Sequence, residues 1–242
     1  MKKINKSAEL LWLFGILFVA LGVSICSKAD LGVSMIAAPA FVLQEAIFPH
    51  LPWISVGVAE YMIQGLLLIM LCLIVRRFDW RFLLAFAVAV FYGYVLDLFL
   101  LLLGGLTVES IPLRYLMLLL GDCITAFGVA CFFRTYMPLQ VYELFVAEIG
   151  TVFRININKV KLCFDLSLLV ISIVLALSLF DIRGFDWSAI GCKSYHSIGL
   201  GTLITTLINS PIIALMSRLV DRFFDPAPLL PRFEATLARK QD

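Results

Sequence analysis

Ile54–Val75 reads ISVGVAEYMIQGLLLIMLCLIV and is followed at once by Arg76-Arg77-Phe78-Asp79-Trp80. As a helix, such a run rises about 33 Å, enough to cross the roughly 30 Å hydrocarbon core of a bilayer. Glu60 is its one charged side chain, and basic residues beside a Trp are what a membrane interface collects. The rest of the chain has the same character. Hydrophobic residues make up 62% and charged residues 15%, with a mean hydropathy of +1.02, against about 45–50% and 25% in soluble domains. A water-soluble fold of 242 residues cannot hide that much apolar surface.

Runs of the same kind at Glu9–Cys26, Arg81–Leu103, Pro112–Phe133, Leu162–Phe180 and Ile198–Ser217 bring the predicted spans to six. The start, Met1-Lys2-Lys3 before an apolar stretch, resembles a secretory signal, but no small-residue cleavage site closes it, so it reads as the first span. Lys2, Lys3 and Lys6, then Arg76, Arg77 and Arg81, then Arg134, Arg154, Lys159 and Lys161, and finally the basic tail all fall on one side if six helices cross. Basic residues are retained in the cytoplasm, so both ends are expected there, in a bacterial cytoplasmic membrane. The reading is one transmembrane domain over residues 1–217 and a cytoplasmic tail over residues 218–242.

Leu31–Phe48 and Thr135–Phe153 are too apolar for solvated loops, yet a crossing by the first would move Arg76, Arg77 and Arg81 to the wrong side. Both are expected to be re-entrant or interfacial helices. In the second, Gln140, Glu143, Ala147, Thr151 and Arg154 recur at helical spacing, which leaves floating on the surface and dipping into a cavity as equal alternatives.

The order of span, non-spanning segment, span, charged turn and span occurs twice. Arg76-Arg77-Phe78-Asp79-Trp80 after the second span is echoed by Arg183-Gly184-Phe185-Asp186-Trp187 after the fifth. Three spans per half is an odd number, so the halves, about residues 9–103 and 112–217, are expected to be inverted repeats of 3+3 topology, as in secondary transporters. The fold class is therefore all-α, a polytopic membrane protein. Ala29-Asp30-Leu31-Gly32-Val33-Ser34 and Gly199-Leu200-Gly201-Thr202 resemble the "ADLGxS" and "GxGT" stretches of the YczE/YitT-type family of bacterial integral membrane proteins. That resemblance implies a multi-pass bacterial membrane protein and no particular activity. Met35 and Ser210 depart from its pattern, where proline and glycine are common.

Ionisable groups inside spans cost a few kcal/mol and are candidates for function. Glu60 and Asp97 share a depth near the outer side, Gln64 is one turn from Glu60, and Asp122 sits near the middle of its span. Asp165 follows Lys161 by four residues, the spacing of a structural ion pair. No Lys or Arg is expected within the spans, which leaves the acids protonated, bound to a cation or hydrated in a shared cavity. The predicted substrate-binding set is Glu60, Gln64, Asp97, Asp122, Glu143, Thr202 and Asn209, with Asp30, Ser34 and Asp165 as coupling candidates. Excess acid points to a cation or an amine-bearing solute; re-entrant helix N-termini aimed at anions keep the opposite sign open.

Only two histidines occur, at His50 and His196, and the six cysteines lack metal-binding spacing, so no metal or other cofactor is expected. No phosphate loop or nucleophile elbow is present, so an enzyme is not expected, and the net charge of +2 gives no case for nucleic acid. The functional expectation is a secondary transporter or solute-binding module for a small solute. Alternatives are a substrate-capturing subunit of an energy-coupling vitamin transporter, docked through Ala85 with Ala89 and Ala126 with Ala130, or a non-transporting accessory protein. Expected partners are the lipid bilayer, a small solute or cation, and a second copy or another membrane protein.

Overall fold

The computed structural model describes residues 4–180 and 191–227. Among them, α1 (Ala8–Lys28), α3 (Val56–Val75), α4 (Trp80–Leu102), α5 (Ile111–Phe132), α7 (Ile157–Leu179) and α8 (Leu200–Phe223) are long and apolar. Six helices have the length and composition to cross a membrane, so this is an all-helical polytopic membrane protein. Their outward faces are apolar, with Leu66 67% and Leu207 77% exposed, as suits contact with lipid rather than water. Helix starts follow from local chemistry. Ser55 caps α3 by accepting from Val58 N, and Asp79 caps α4 by accepting from Arg81 N. Pro39 and Pro112 stand in the first turns of α2 (Ala38–Ile47) and α5, where a missing N–H costs nothing.

The two short helices, α2 and α6 (Val141–Val152), occupy the non-spanning segments. The choice left open for α6 is decided by burial: Tyr142, Phe145 and Val146 pack with Leu68, Leu71 and Phe82 in one core cluster. Trp12 on α1 donates to Pro138 O and fixes the chain where it enters the bundle ahead of α6. Glu143, which a floating helix would leave in water, is thereby drawn inside.

At the centre α1 and α5 cross so closely that only glycine fits. A methyl group added to Gly121 would lie 2.8 Å from Gly22 O, and one on Gly128 would lie 2.7 Å from Gly15 O. With no hydrophobic drive between helices in lipid, such backbone approach is what brings them together. Around this crossing α4 packs on α1 and α8 on α5, α2 on α3 and α6 on α7, α6 on α3 and α2 on α7. One pair breaks the pattern. α3 lies closely along α4, whereas among the described residues α7 has no comparable packing on α8. Ala85, Ala89, Ala126 and Ala130 are all 2% exposed or less, spent on internal packing and closed to the docking partner expected from their spacing.

Connections gather at two ends, as six crossings require. At one, Asp30 pairs with Arg114 at 3.2 Å, Ser194 Oγ donates to Asp30 and Val33 N donates to Ser197 O. At the other, Arg134 forms a two-pronged ion pair with Asp221. There β1 (Ile4–Ser7) and β2 (Phe224–Ala227) run parallel and hydrogen-bonded. The recurrence at Arg183–Trp187 lies outside the described residues, as do Lys2, Lys3, Arg232, Arg239 and Lys240 of the basic pattern.

Candidate functional site

Where α1, α5 and the entries to α2 and α6 converge, the bundle leaves a small, partly open cavity of about 50 Å³. From the first half Val19, Val23, Ser34, Ile36 and Ala37 reach it. From the second half Thr125, Val129, Gln140, Tyr142 and Glu143 do so. Glu60 on α3, Tyr92 on α4, Lys161 on α7, and Asn209 with Ile213 on α8 complete the lining. Pro211 lies inside α8 between those last two, where it removes a backbone donor and frees a carbonyl one turn back.

Glu60 is 1% exposed, and Tyr142 Oη donates to its Oε2 at 2.6 Å. Several polar atoms in this lining have no partner. Gln140 is 4% exposed and its Nε2 is unsatisfied, as are Glu143 Oε2 and Asn209 Oδ1. Each unmet buried polar group costs about 1–3 kcal/mol, and these three, beside others at Gln64, Arg81 and Asp122, make the cavity a candidate site.

Of the residues expected to bind solute, Glu60, Glu143 and Asn209 share the cavity, together with the coupling candidate Ser34; the others are not in its lining. Asp97 does not pair with Glu60 despite their common depth: it accepts from Ser55 Oγ at 2.5 Å and Gly57 N at 2.8 Å, anchoring the positive N-terminal end of α3. Asp122 is 2% exposed beside the α1–α5 crossing with its Oδ2 unpaired. Gln64 is fully buried with both amide atoms unpaired, away from the cavity lining. Thr202 accepts from Gly199 N and holds the start of α8. Asp30 belongs to the ion pair with Arg114.

Asp165 pairs with Lys161 at 3.2 Å, as the spacing predicts, but the expectation that no basic residue enters the spans is corrected. α7 begins at Ile157, several residues before the apolar run, so Lys161 stands inside the helix and lines the cavity. Its aliphatic stem lets a lysine sit in that position. Sequence reading also missed Tyr92, Tyr142 and Gln140 as lining residues; Gln140 had been visible only as the first member of a polar stripe.

The two strings that carry the family resemblance meet directly. Gly201 N donates to Leu31 O at 2.8 Å, and Gly32 has φ +106°, a conformation that favours glycine. Residues 6–218 match the model of a family of unknown function, DUF6198, and the chain belongs to that family. No curated protein and no solved structure matches it.

Proposed function

We propose that this member of the DUF6198 family is a small secondary transporter, built from two inverted repeats, whose solute site is the cavity they share. The observation that carries this reading is a constant separation. Val19 and Thr125, Val23 and Val129, Ser34 and Gln140, Ile36 and Tyr142, Ala37 and Glu143 are five lining pairs, each 106 residues apart. Gly15 and Gly121, and Gly22 and Gly128, have the same separation, so the close crossing of α1 on α5 is an element meeting its own counterpart. Packing supports the same correspondence, since α1 with α4 matches α5 with α8, and α6 on α3 matches α2 on α7. The string at Arg76–Trp80 recurs 107 positions on, at Arg183–Trp187.

Inverted repeats put a solute site on the axis between halves, and alternation arises because the halves exchange conformations. The unequal packing of α3 on α4 and of α7 on α8 is the asymmetry such exchange requires. The distribution of basic residues supports cytoplasmic ends, and the YczE/YitT-type resemblance supports a bacterial cytoplasmic membrane.

Two-sided access tests this. In protein whose six cysteines are replaced, Ser34→Cys is exposed to a membrane-impermeant maleimide from each face of oriented vesicles. Labelling from both faces is expected. Reaction from one face alone, under every condition, would leave a binding module without transport.

A further inference from the structure

We infer that the ligand of this cavity is a small organic amine carrying N–H bonds, an ammonium on a short apolar body with one hydrogen-bond acceptor. The inference rests on the transport site proposed above and names its substrate class. Charge comes first. Glu60 and Glu143 both face the cavity, and the one ammonium among the described lining residues, Lys161, is engaged with Asp165. A ligand entering this space meets two buried carboxyl groups and gains by being cationic, because its charge favours their ionised form.

Hydrogen-bond inventory then narrows the cation. Glu143 Oε2 and Asn209 Oδ1 are buried acceptors without donors. A primary ammonium supplies three N–H donors, whereas a quaternary ammonium supplies none and leaves both oxygens unmet. Gln140 Nε2 is a buried donor without an acceptor, which a hydroxyl or carbonyl on the ligand satisfies. The lining also includes Val19, Val23 and Ile36, fit for a few methylenes, and Tyr92 and Tyr142, aromatic side chains of the kind that favour a cation.

The test uses three probes of one length, 4-aminobutan-1-ol, its N,N,N-trimethyl analogue and butane-1,4-diol, titrated calorimetrically into the full chain in lipid nanodiscs. The amino alcohol is expected to bind saturably, with the other two weaker by about tenfold or more, since a charge-assisted hydrogen bond is worth that much. Glu143→Gln is expected to weaken the amino alcohol by about tenfold or more, with the thermal midpoint of the ligand-free protein as a control for folding. Ile213→Trp, which narrows the partly exposed α8 side of the lining, is a second variant that is expected to block binding without altering charge. Equal affinity for the trimethyl analogue or the diol, no binding of the amino alcohol, or indifference to both substitutions would overturn the assignment. If two-sided labelling at residue 34 survives such a result, only the amine is lost; if labelling is also one-sided, the transport reading falls with it.

Discussion

Tyr142 Oη stands 2.6 Å from Glu60 Oε2, so a residue at the start of the second half's short helix satisfies the one acid buried in the first half's second span. Removing the hydroxyl with Tyr142→Phe leaves that oxygen unpaired in a site 1% exposed. A loss of about 1–3 kcal/mol in stability is expected, measured by denaturation in mixed micelles. Tyr142→Phe combined with Glu60→Leu should recover much of it, and a double variant as unstable as the sum of the singles would deny the coupling.

The crossing of α1 and α5 should tolerate no added carbon. Gly121→Ala puts a methyl 2.8 Å from Gly22 O and 2.6 Å from Cys26 Sγ, forcing the helices apart at a cost of about 1–3 kcal/mol. Gly105→Ala, where nothing lies within 4 Å, is expected to be neutral or to gain a few tenths of a kcal/mol. Comparable melting temperatures for the two variants would contradict the packing described.

Lys161 and Asp165 should behave as a unit. Lys161→Met strands a carboxylate that is 6% exposed, and breaking a buried pair from one side costs about 3–5 kcal/mol. Lys161→Met with Asp165→Leu is expected to cost far less, because neither charge is left alone. A thermodynamic cycle over the four proteins gives the interaction directly, and additive losses would refute it.

At the end where Asp30 meets Arg114 and Ser194, the loop linking α1 to α2 is clasped to the start of α8. Asp30→Asn keeps the shape and removes the charge, so the clasp loosens. Faster maleimide reaction of Ser34→Cys from that face, by several-fold, is the expected reading, with reaction from the opposite face unchanged. An unaltered rate on the clasp side would mean that the ion pair does not guard the cavity.

Depth was legible in the sequence and rotation was not. Six apolar runs and the arginine clusters between them fix which segments cross, because hydrocarbon thickness and helix rise leave little freedom. The same arithmetic put Glu60 and Asp97 at one level. Whether they touch depends on the angle of each helix about its own axis, and packing turned Asp97 to the cap of α3. Lys161 was hidden because the spans were bounded by hydropathy, whereas the helix continues into polar sequence as far as Ile157. The matched glycines of α1 and α5 were invisible for a different reason: four glycines in a chain with 15 of them signify nothing until the two helices are known to cross. Glu60 and Asn209 stand out in the sequence because their chemistry is out of place in lipid, and Glu143 and Ser34 because they sit on apolar segments too polar on one side to cross; Gln140 reads as an ordinary member of an amphipathic turn.

The parallel ribbon of Ile4–Ser7 with Phe224–Ala227 sets an order on biosynthesis. At about 5–20 residues per second, the ribosome delivers Phe224 on the order of tens of seconds after Ile4. Through that interval the opening strand waits outside the hydrocarbon with its amides answered only by water, and this stitch of the fold is sewn after every span has been made.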